Sequence, residues 1–229
     1  MIKALVFDFD GTIIDTETPW FNLFRDAYSE HGVELTFELY SQCIGTNMSA
    51  FNPYEYLITE HHLPIDPEAF QKMIHERYDV LMKSQQIRPG IIDYLEQAKA
   101  AGLRIGLATS SSKDWIDKHM EELGIRHYFE AISTANDVPM VKPDPALYQR
   151  TLSLLGVEPA EAVAFEDSPN GARAAVAAGI HCIVIPNTIT GQMTFDMPHQ
   201  RLGCLSELSF NDLLAGPLEC NFTGSTAQK

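Results

Sequence analysis

Positive charge is scarce in this chain. Sixteen Lys and Arg face 31 Asp and Glu in 229 residues, a formal net charge of −15. A surface with that balance repels a phosphate backbone or an anionic bilayer, so nucleic acid and membrane are excluded as partners. Long apolar runs are missing as well: nothing approaches the roughly 20 apolar residues of a membrane helix. The opening Met1–Asp8 reaches acidic residues after an apolar run too short for a secretory signal, and the expected location is cytoplasmic. Cysteine is sparse and scattered. Cys43, Cys182, Cys204 and Cys220 show neither C-x-x-C nor Cys/His spacing, which argues against a zinc site or redox pair and for buried thiols in a reducing compartment. Asn221-Phe222-Thr223 has the form of a glycosylation sequon, a chance match without a signal peptide. Internal repeats and low-complexity segments are lacking too.

What remains is ordinary globular material, 45% hydrophobic and 21% charged, in a length that allows one large domain or two small ones. Such a chain buries enough surface to need no disulfide or metal staple. Its acidity sets one demand: an anionic small molecule can be held only with local help from a cation or from backbone N–H groups.

Short apolar runs end in small or acidic residues: Ala4–Phe7 before Asp8, Leu103–Ala108 before Thr109, Ala162–Phe165 before Glu166, Cys182–Ile185 before Pro186, and more weakly Glu130–Ser133. Runs of this length, apolar on both alternating faces, fit parallel strands covered by helices on both sides. Helical patterns lie between them, and four end at Gly102, Gly124, Gly156 and Gly179, where a helix C-terminus favours glycine. Helix, glycine, strand in repetition predicts a doubly wound α/β domain with a parallel sheet. From about Thr16 to Gln86 the rhythm changes to helical patterns only: Trp20–His31, Phe37–Ile44, Phe51–His61 and Pro67–Ser84. That is too long for one crossover and predicts an inserted helical unit. The division is 1–15 and 87–215 for the α/β core, 16–86 for the insertion, and 216–229 for a polar tail expected to be disordered.

Ligands of an open parallel sheet bind beyond the carboxyl ends of its strands. Those ends carry Asp8-Phe9-Asp10-Gly11-Thr12, Thr109-Ser110-Ser111-Ser112 and Glu166-Asp167-Ser168, and a loop carries Lys142-Pro143. Neighbouring carboxylates 4 Å apart repel by about 4 kcal/mol per pair at an effective dielectric near 20. A divalent cation removes that conflict, and hard oxygen ligands in this number suit Mg²⁺. Thr109 and Ser110, read as lying at a helix N-terminus, together with Lys142, supply an anion site. Asp8 and Asp10, one residue apart, face one side with Phe9 turned away, so one can attack phosphorus while the other handles a proton. The expected partner is therefore a small phosphorylated molecule.

These residues carry a family resemblance. Asp8-Phe9-Asp10-Gly11-Thr12-Ile13-Ile14-Asp15-Thr16-Glu17 resembles the first motif of the haloacid dehalogenase-like (HAD) hydrolases, Thr109-Ser110-Ser111 the second, Lys142-Pro143 the third and Glu166-Asp167-Ser168 the fourth. The helical insertion is similar to the C1 cap of the subgroup holding β-phosphoglucomutase and small sugar-phosphate phosphatases, and the likeness spans roughly residues 1 to 215. It implies a HAD-type Rossmann-like core and an aspartyl-phosphate mechanism. Asp8 would be the nucleophile and a Mg²⁺ ligand. Asp10 would ligate the metal through its backbone carbonyl and serve as acid and base through its side chain. Thr109, the Ser110 amide and Lys142 would hold the phosphoryl oxygens, Asp167 would ligate the metal, and Glu166 would do so directly or through water.

Two departures bear on the reaction. Mutases of this subgroup carry a His shortly after the first motif and a Gly-x-x-Arg turn, where this chain has Trp20 and Gly45-Thr46-Asn47-Met48. The expected activity is hydrolysis of a phosphomonoester bearing one phosphate. A phosphomutase is the alternative, a non-catalytic phosphate-binding or regulatory module the second, and the expected state is a monomer or weak homodimer. Asn170 and Gly171 read as a helix start, Asp137 as a structural partner of the Lys142 loop, and His61-His62 as an exposed turn. Trp20 and Phe21 read equally as cap core or pocket lining. The linkers near Asp15-Thr16 and Ile87-Arg88-Pro89 are the expected hinges.

Overall fold

The computed structural model describes residues 1–45, 51–197 and 200–215. Each apolar run becomes a strand: β1 (Ala4–Phe7), β2 (Arg104–Ala108), β3 (Ala131–Ser133), β4 (Ala162–Glu166) and β5 (His181–Val184). With a two-residue edge strand, β6 (Gln200–Arg201), they form one sheet in the order β3-β2-β1-β4-β5-β6. Every pairing is parallel. The doubly wound α/β expectation is met, and the carboxyl ends of β1, β2 and β4 lie side by side. Two polar residues carry no period, which is why β6 leaves no sequence signal.

Alternation along the strands assigns the two faces. Leu5 and Phe7 of β1 pack with Val163 and Phe165 of β4 against α5 (Ile91–Ala100), α6 (Lys113–Glu122) and α9 (Phe210–Ala215). Ala4, Val6, Ala162 and Ala164 face α7 (Ala146–Leu155) and α8 (Pro169–Ala177), where small side chains let the helices approach closely. The four helices expected to end at glycine do so, with Gly102, Gly124, Gly156 and Gly179 all at positive φ.

The inserted segment is helical: α1 (Glu17–Glu30), α2 (Phe37–Tyr40) running into a 3-10 turn at Ser41–Cys43, α3 (Pro53–Thr59) and α4 (Pro67–Met82). It buries its own apolar cluster around Phe24, Tyr28, Leu57, Ile74 and Tyr78. The chain leaves and re-enters the sheet side by side. Ile14 and Ile87 form an antiparallel bridge, and the Arg88 amide donates to the Ile13 carbonyl at 2.8 Å. The Arg88 guanidinium fastens the strand-end loops, donating to the carbonyls of Gly11, Ile185 and Pro186. His61 and His62 are exposed in a turn, as expected. Thr46, Asn47 and Met48, the sequon and the 216–229 tail lie outside the described residues.

Candidate active site

Asp8, Asp10, Thr109, Ser110, Lys142 and Asp167 line one cavity of about 390 Å³ beyond the carboxyl ends of β1, β2 and β4, roofed by the inserted helices. β1 stops at Phe7, and Phe9 turns into the core at 0% exposure while Asp8 and Asp10 stay on the cavity side. Gly11 makes the turn at φ +81°, a conformation that L side chains rarely adopt, and a Cβ there would overlap the Asp167 carboxylate. The close approach of the first motif to Asp167 thus requires glycine twice over.

Lys142 is the hub. Its Nζ lies 2.5 Å from Asp8 Oδ1 and 2.7 Å from Glu166 Oε1, with the Tyr148 ring 5.3 Å away. Burial opposes the ammonium charge, but the carboxylates of Asp8 and Glu166 outweigh it and raise Lys142 above its ordinary pKa. Asp8 Oδ2 accepts from the Thr12 hydroxyl at 3.1 Å. Glu166 is wholly buried beneath the cavity floor; its Oε1 also accepts from the Tyr148 hydroxyl at 2.6 Å, and its Oε2 has no hydrogen-bond partner among the described residues. A Cβ on Gly171 of α8 would overlap that carboxylate, so the helix approaches Glu166 through bare backbone.

Asp8, Glu166 and Asp167 form a buried acidic group whose oxygens lie within 4.8 Å of one another. Burial first, then Asp8 and Glu166, pushes Asp167 well above the carboxylate range. Burial likewise raises Glu166, against the pull of Lys142. Asn187 Nδ2 steadies Asp167 Oδ2 at 2.8 Å. Crowded acids, an unpartnered carboxylate oxygen and one Lys for three carboxylates form a donor set that fits a hard divalent cation.

The Asp10 carboxyl accepts twice: Ser111 Oγ donates to Oδ2 at 2.6 Å, and the Trp115 indole Nε1 to Oδ1 at 3.0 Å. Burial raises its pKa, the Ser111 bond opposes this, Asp8 adds to it and the Trp115 bond opposes it again. Glu17, opening α1 in the same cavity, is pushed up to about 8 by burial and by Asp10, Asp15 and Asp8.

One sequence expectation is corrected here. Thr109 and Ser110 do not sit at a helix N-terminus: α6 starts at Lys113, and Ser112 is its N-cap. Two of its first-turn amides are already used, Lys113 N donating to Asn136 Oδ1 at 2.8 Å and Trp115 N to Ser112 Oγ at 3.3 Å. The candidate anion site is the loop 109–112 itself. In that loop the buried Thr109 Oγ1 accepts from Ser111 N at 3.0 Å.

Asp137 bonds Thr134 and Arg150 rather than the Lys142 loop. Ser168 caps α8 through Gly171 N, and Asn170 reaches across to the Ile44 carbonyl at 3.0 Å. Trp20 lines the cavity, while Phe21 packs against Phe37 and Tyr40. Sequence reasoning missed Trp115, Tyr148 and Asn187, which come from helices and a loop outside the motifs, and gave Ser111 of the second motif and Arg88 of the linker no bonding role.

The profile of the haloacid dehalogenase-like hydrolases matches residues 5–185. YhcW of Bacillus subtilis (strain 168) is 42% identical over 214 residues, covering 93% of this chain and 97% of its own. Hexitol phosphatase B of Escherichia coli O157:H7 is 30% identical over 216 residues, with the same coverage of both chains. The crystal structure of CbbY from Rhodobacter sphaeroides in complex with xylulose-(1,5)bisphosphate superposes with a TM-score of 0.73 at 31% identity, covering 91% of this chain and 97% of the other. The chain belongs to the haloacid dehalogenase-like hydrolases.

Proposed function

We propose that the protein is a Mg²⁺-dependent phosphatase that hydrolyses a small phosphomonoester through an aspartyl-phosphate at Asp8. The observation that carries this is the convergence of Asp8, Lys142, Asp167 and the 109–112 loop on one cavity, with the Asp10 carboxyl beside them and held by two donors. The residues that would hold the ion are Asp8, Asp10 through its backbone carbonyl and Asp167, with Glu166 completing the acidic group directly or through water. When bound, Mg²⁺ supplies positive charge that offsets phosphoryl charge.

In the first half-reaction an Asp8 carboxylate oxygen attacks phosphorus, the bond to the leaving oxygen breaks, and Asp10 gives its proton to that oxygen. In the second, Asp10 takes a proton from water, the water oxygen attacks phosphorus, and the Asp8–phosphorus bond breaks. Alcohol and inorganic phosphate leave, and both carboxyls return to their starting states. Lys142, the Thr109 hydroxyl and the Ser110 amide steady the equatorial oxygens. A group that must donate and then accept works best near neutral pKa, and the burial of Asp10 moves it in that direction.

In this reading residues 16–86 are the cap over a core of 1–15 and 87–215. No helix among the described residues is long and apolar enough to cross a membrane. The location this reading carries is cytoplasmic. A monomer or weak homodimer completes the reading. The test is phosphate release from a panel of phosphomonoesters by wild type and Asp8→Asn, each with Mg²⁺ and with EDTA. Release confined to wild type with metal is expected; turnover in Asp8→Asn or in EDTA removes the mechanism.

A further inference from the structure

We infer that Asn187, in the loop that follows β5, is a positioning residue for the metal site: it restrains the Asp167 carboxyl through one uncharged hydrogen bond and so raises the affinity of the acidic group for a divalent cation. The inference rests on the phosphatase reading and adds to that site a residue outside the four motifs.

The direction of the Asn187 amide is fixed by its own loop. Its Oδ1 accepts from the backbone N–H groups of Ile189 and Thr190, both at 2.9 Å. The amide nitrogen must then face the other way, and Nδ2 donates to Asp167 Oδ2 at 2.8 Å. The reverse orientation would set the amide oxygen against a carboxylate and its nitrogen against two N–H donors, so the network allows one assignment. The buried Thr190 Oγ1 accepts from Asn187 N at 3.0 Å, and Gly191 N donates to the Asn187 carbonyl at 2.9 Å. Every polar group of Asn187 is thus engaged.

The loop is anchored from three directions. Arg88 of the linker donates to the carbonyls of Ile185 and Pro186 at 2.7 and 2.8 Å. Ile189, only 4% exposed, belongs to the apolar cluster of the inserted helices. A Cβ on Gly11 would overlap both the Asp167 carboxylate and the Asn187 amide nitrogen, so bare backbone of the first motif packs against their bond. Among the described residues Asn187 is the one hydrogen-bond donor to the Asp167 side chain, and it is mounted on a loop that cannot swing away.

Charge explains the residue type. Lys142 also grips two of the acids, but an ammonium competes with a metal ion for them. An amide orients Asp167 and leaves its negative charge for the cation. Asp at this position would keep the two backbone bonds and set another anion against Asp167. Partners that orient a ligand in this way typically contribute about tenfold to hundredfold in metal affinity.

The experiment titrates Mn²⁺ into phosphate-free protein, reading the free ion by electron paramagnetic resonance. Binding by wild type that collapses in Asp167→Asn reports the metal site alone. A wild type that binds no Mn²⁺, or binds it as well after Asp167→Asn, overturns the metal reading and this inference with it. With the site in place, Asn187→Ala is expected to weaken Mn²⁺ binding about tenfold or more. It is also expected to raise the Mg²⁺ activation constant for p-nitrophenyl phosphate by a larger factor than KM for the ester. Thr190→Val loosens the same loop but keeps the Nδ2 donor. It is expected to lower the melting temperature in EDTA while Mn²⁺ affinity stays within about threefold of wild type. An Asn187→Ala loss below about threefold, or no larger than that of Thr190→Val, overturns the inference while the phosphatase stands. If Asn187→Ala does not fold, wild type labelled with ¹⁵N-asparagine gives the answer. The Asn187 side-chain amide signal is expected to shift when Mg²⁺ is added, and not to shift in Asp167→Asn; a signal indifferent to Mg²⁺ in wild type overturns the inference.

Discussion

The indole of Trp115 donates to Asp10 at 3.0 Å while its ring lies 5.7 Å from Tyr78 of the cap. A core helix therefore touches both the carboxyl proposed to handle protons and the helical segment over the cavity. Trp115→Phe keeps an aromatic ring and deletes the donor, leaving a buried acceptor unpaired at a cost of about 1–3 kcal/mol. For an alkyl phosphate, whose leaving oxygen needs a proton, kcat/KM is expected to fall about tenfold or more. For p-nitrophenyl phosphate, whose phenolate leaves unaided, the fall is expected to be several times smaller. An equal loss on both substrates would show that Trp115 only supports the pocket.

Gly171→Ala places a methyl group against the buried Glu166 carboxylate. Overpacking of this kind costs about 1–3 kcal/mol, and the displaced Glu166 releases one of the two acids that hold Lys142. Thermal unfolding and phosphate release are both expected to suffer. Gly102→Ala is the control: it strains a positive φ in open space far from the site and is expected to lower stability while leaving kcat unchanged.

Metal-free protein is expected to lose stability as pH rises from about 5 to about 8. Glu17, Asp10 and Asp167 keep their protons in the native state, Glu17 up to about 8, at pH values where the unfolded chain has released them. The native state then binds more protons than the unfolded one, so unfolding free energy falls with pH. Lys142, raised above its ordinary value, stays charged throughout this window and adds no slope. Mg²⁺ offsets the acidic repulsion, and melting curves in its presence are expected to be flatter across the same range. A metal-free protein whose melting temperature rises over that interval would contradict the assignment.

The chain has two tryptophans, Trp20 on the cap and Trp115 on the core, and both line the cavity. Hinge motion about the Ile14–Ile87 bridge would separate Tyr78 from Trp115. Adding Mg²⁺ with a phosphate mimic such as beryllium fluoride is expected to change intrinsic fluorescence, and the change is expected to shrink in Trp115→Phe, which leaves Trp20 as the only reporter. Emission that is unaffected by the ligand would mean a cap that does not move.

What is legible in the sequence follows from local pattern or from chemistry at a strand end. Ala4–Phe7 and Ala162–Glu166 are legible because a strand buried on both faces is a continuous apolar run. Asp8, Asp10 and Asp167 stand out because few structural roles require acids just beyond strands, and Lys142 stands out as the loop cation that can meet them. Trp115 and Tyr148 are not: an aromatic residue on an amphipathic helix has the same pattern whether it faces apolar core or a carboxyl. The helix N-terminus expected at Thr109 fails for a local reason, since Ser112 takes the cap and starts the helix later. β6 pairs with β5 through backbone groups alone, and its side chains carry no trace of it.

The central claim is that Asp8 carries the phosphoryl group between substrate and water. Acid quenching during steady-state turnover, followed by mass analysis of the proteolytic peptide that contains Asp8, tests it most directly. The account predicts a peptide heavier by one phosphoryl group, present only with Mg²⁺ and substrate and lost on brief exposure to hydroxylamine. The same adduct in Asp8→Asn, or a phosphoryl group on any other peptide during turnover, would contradict it.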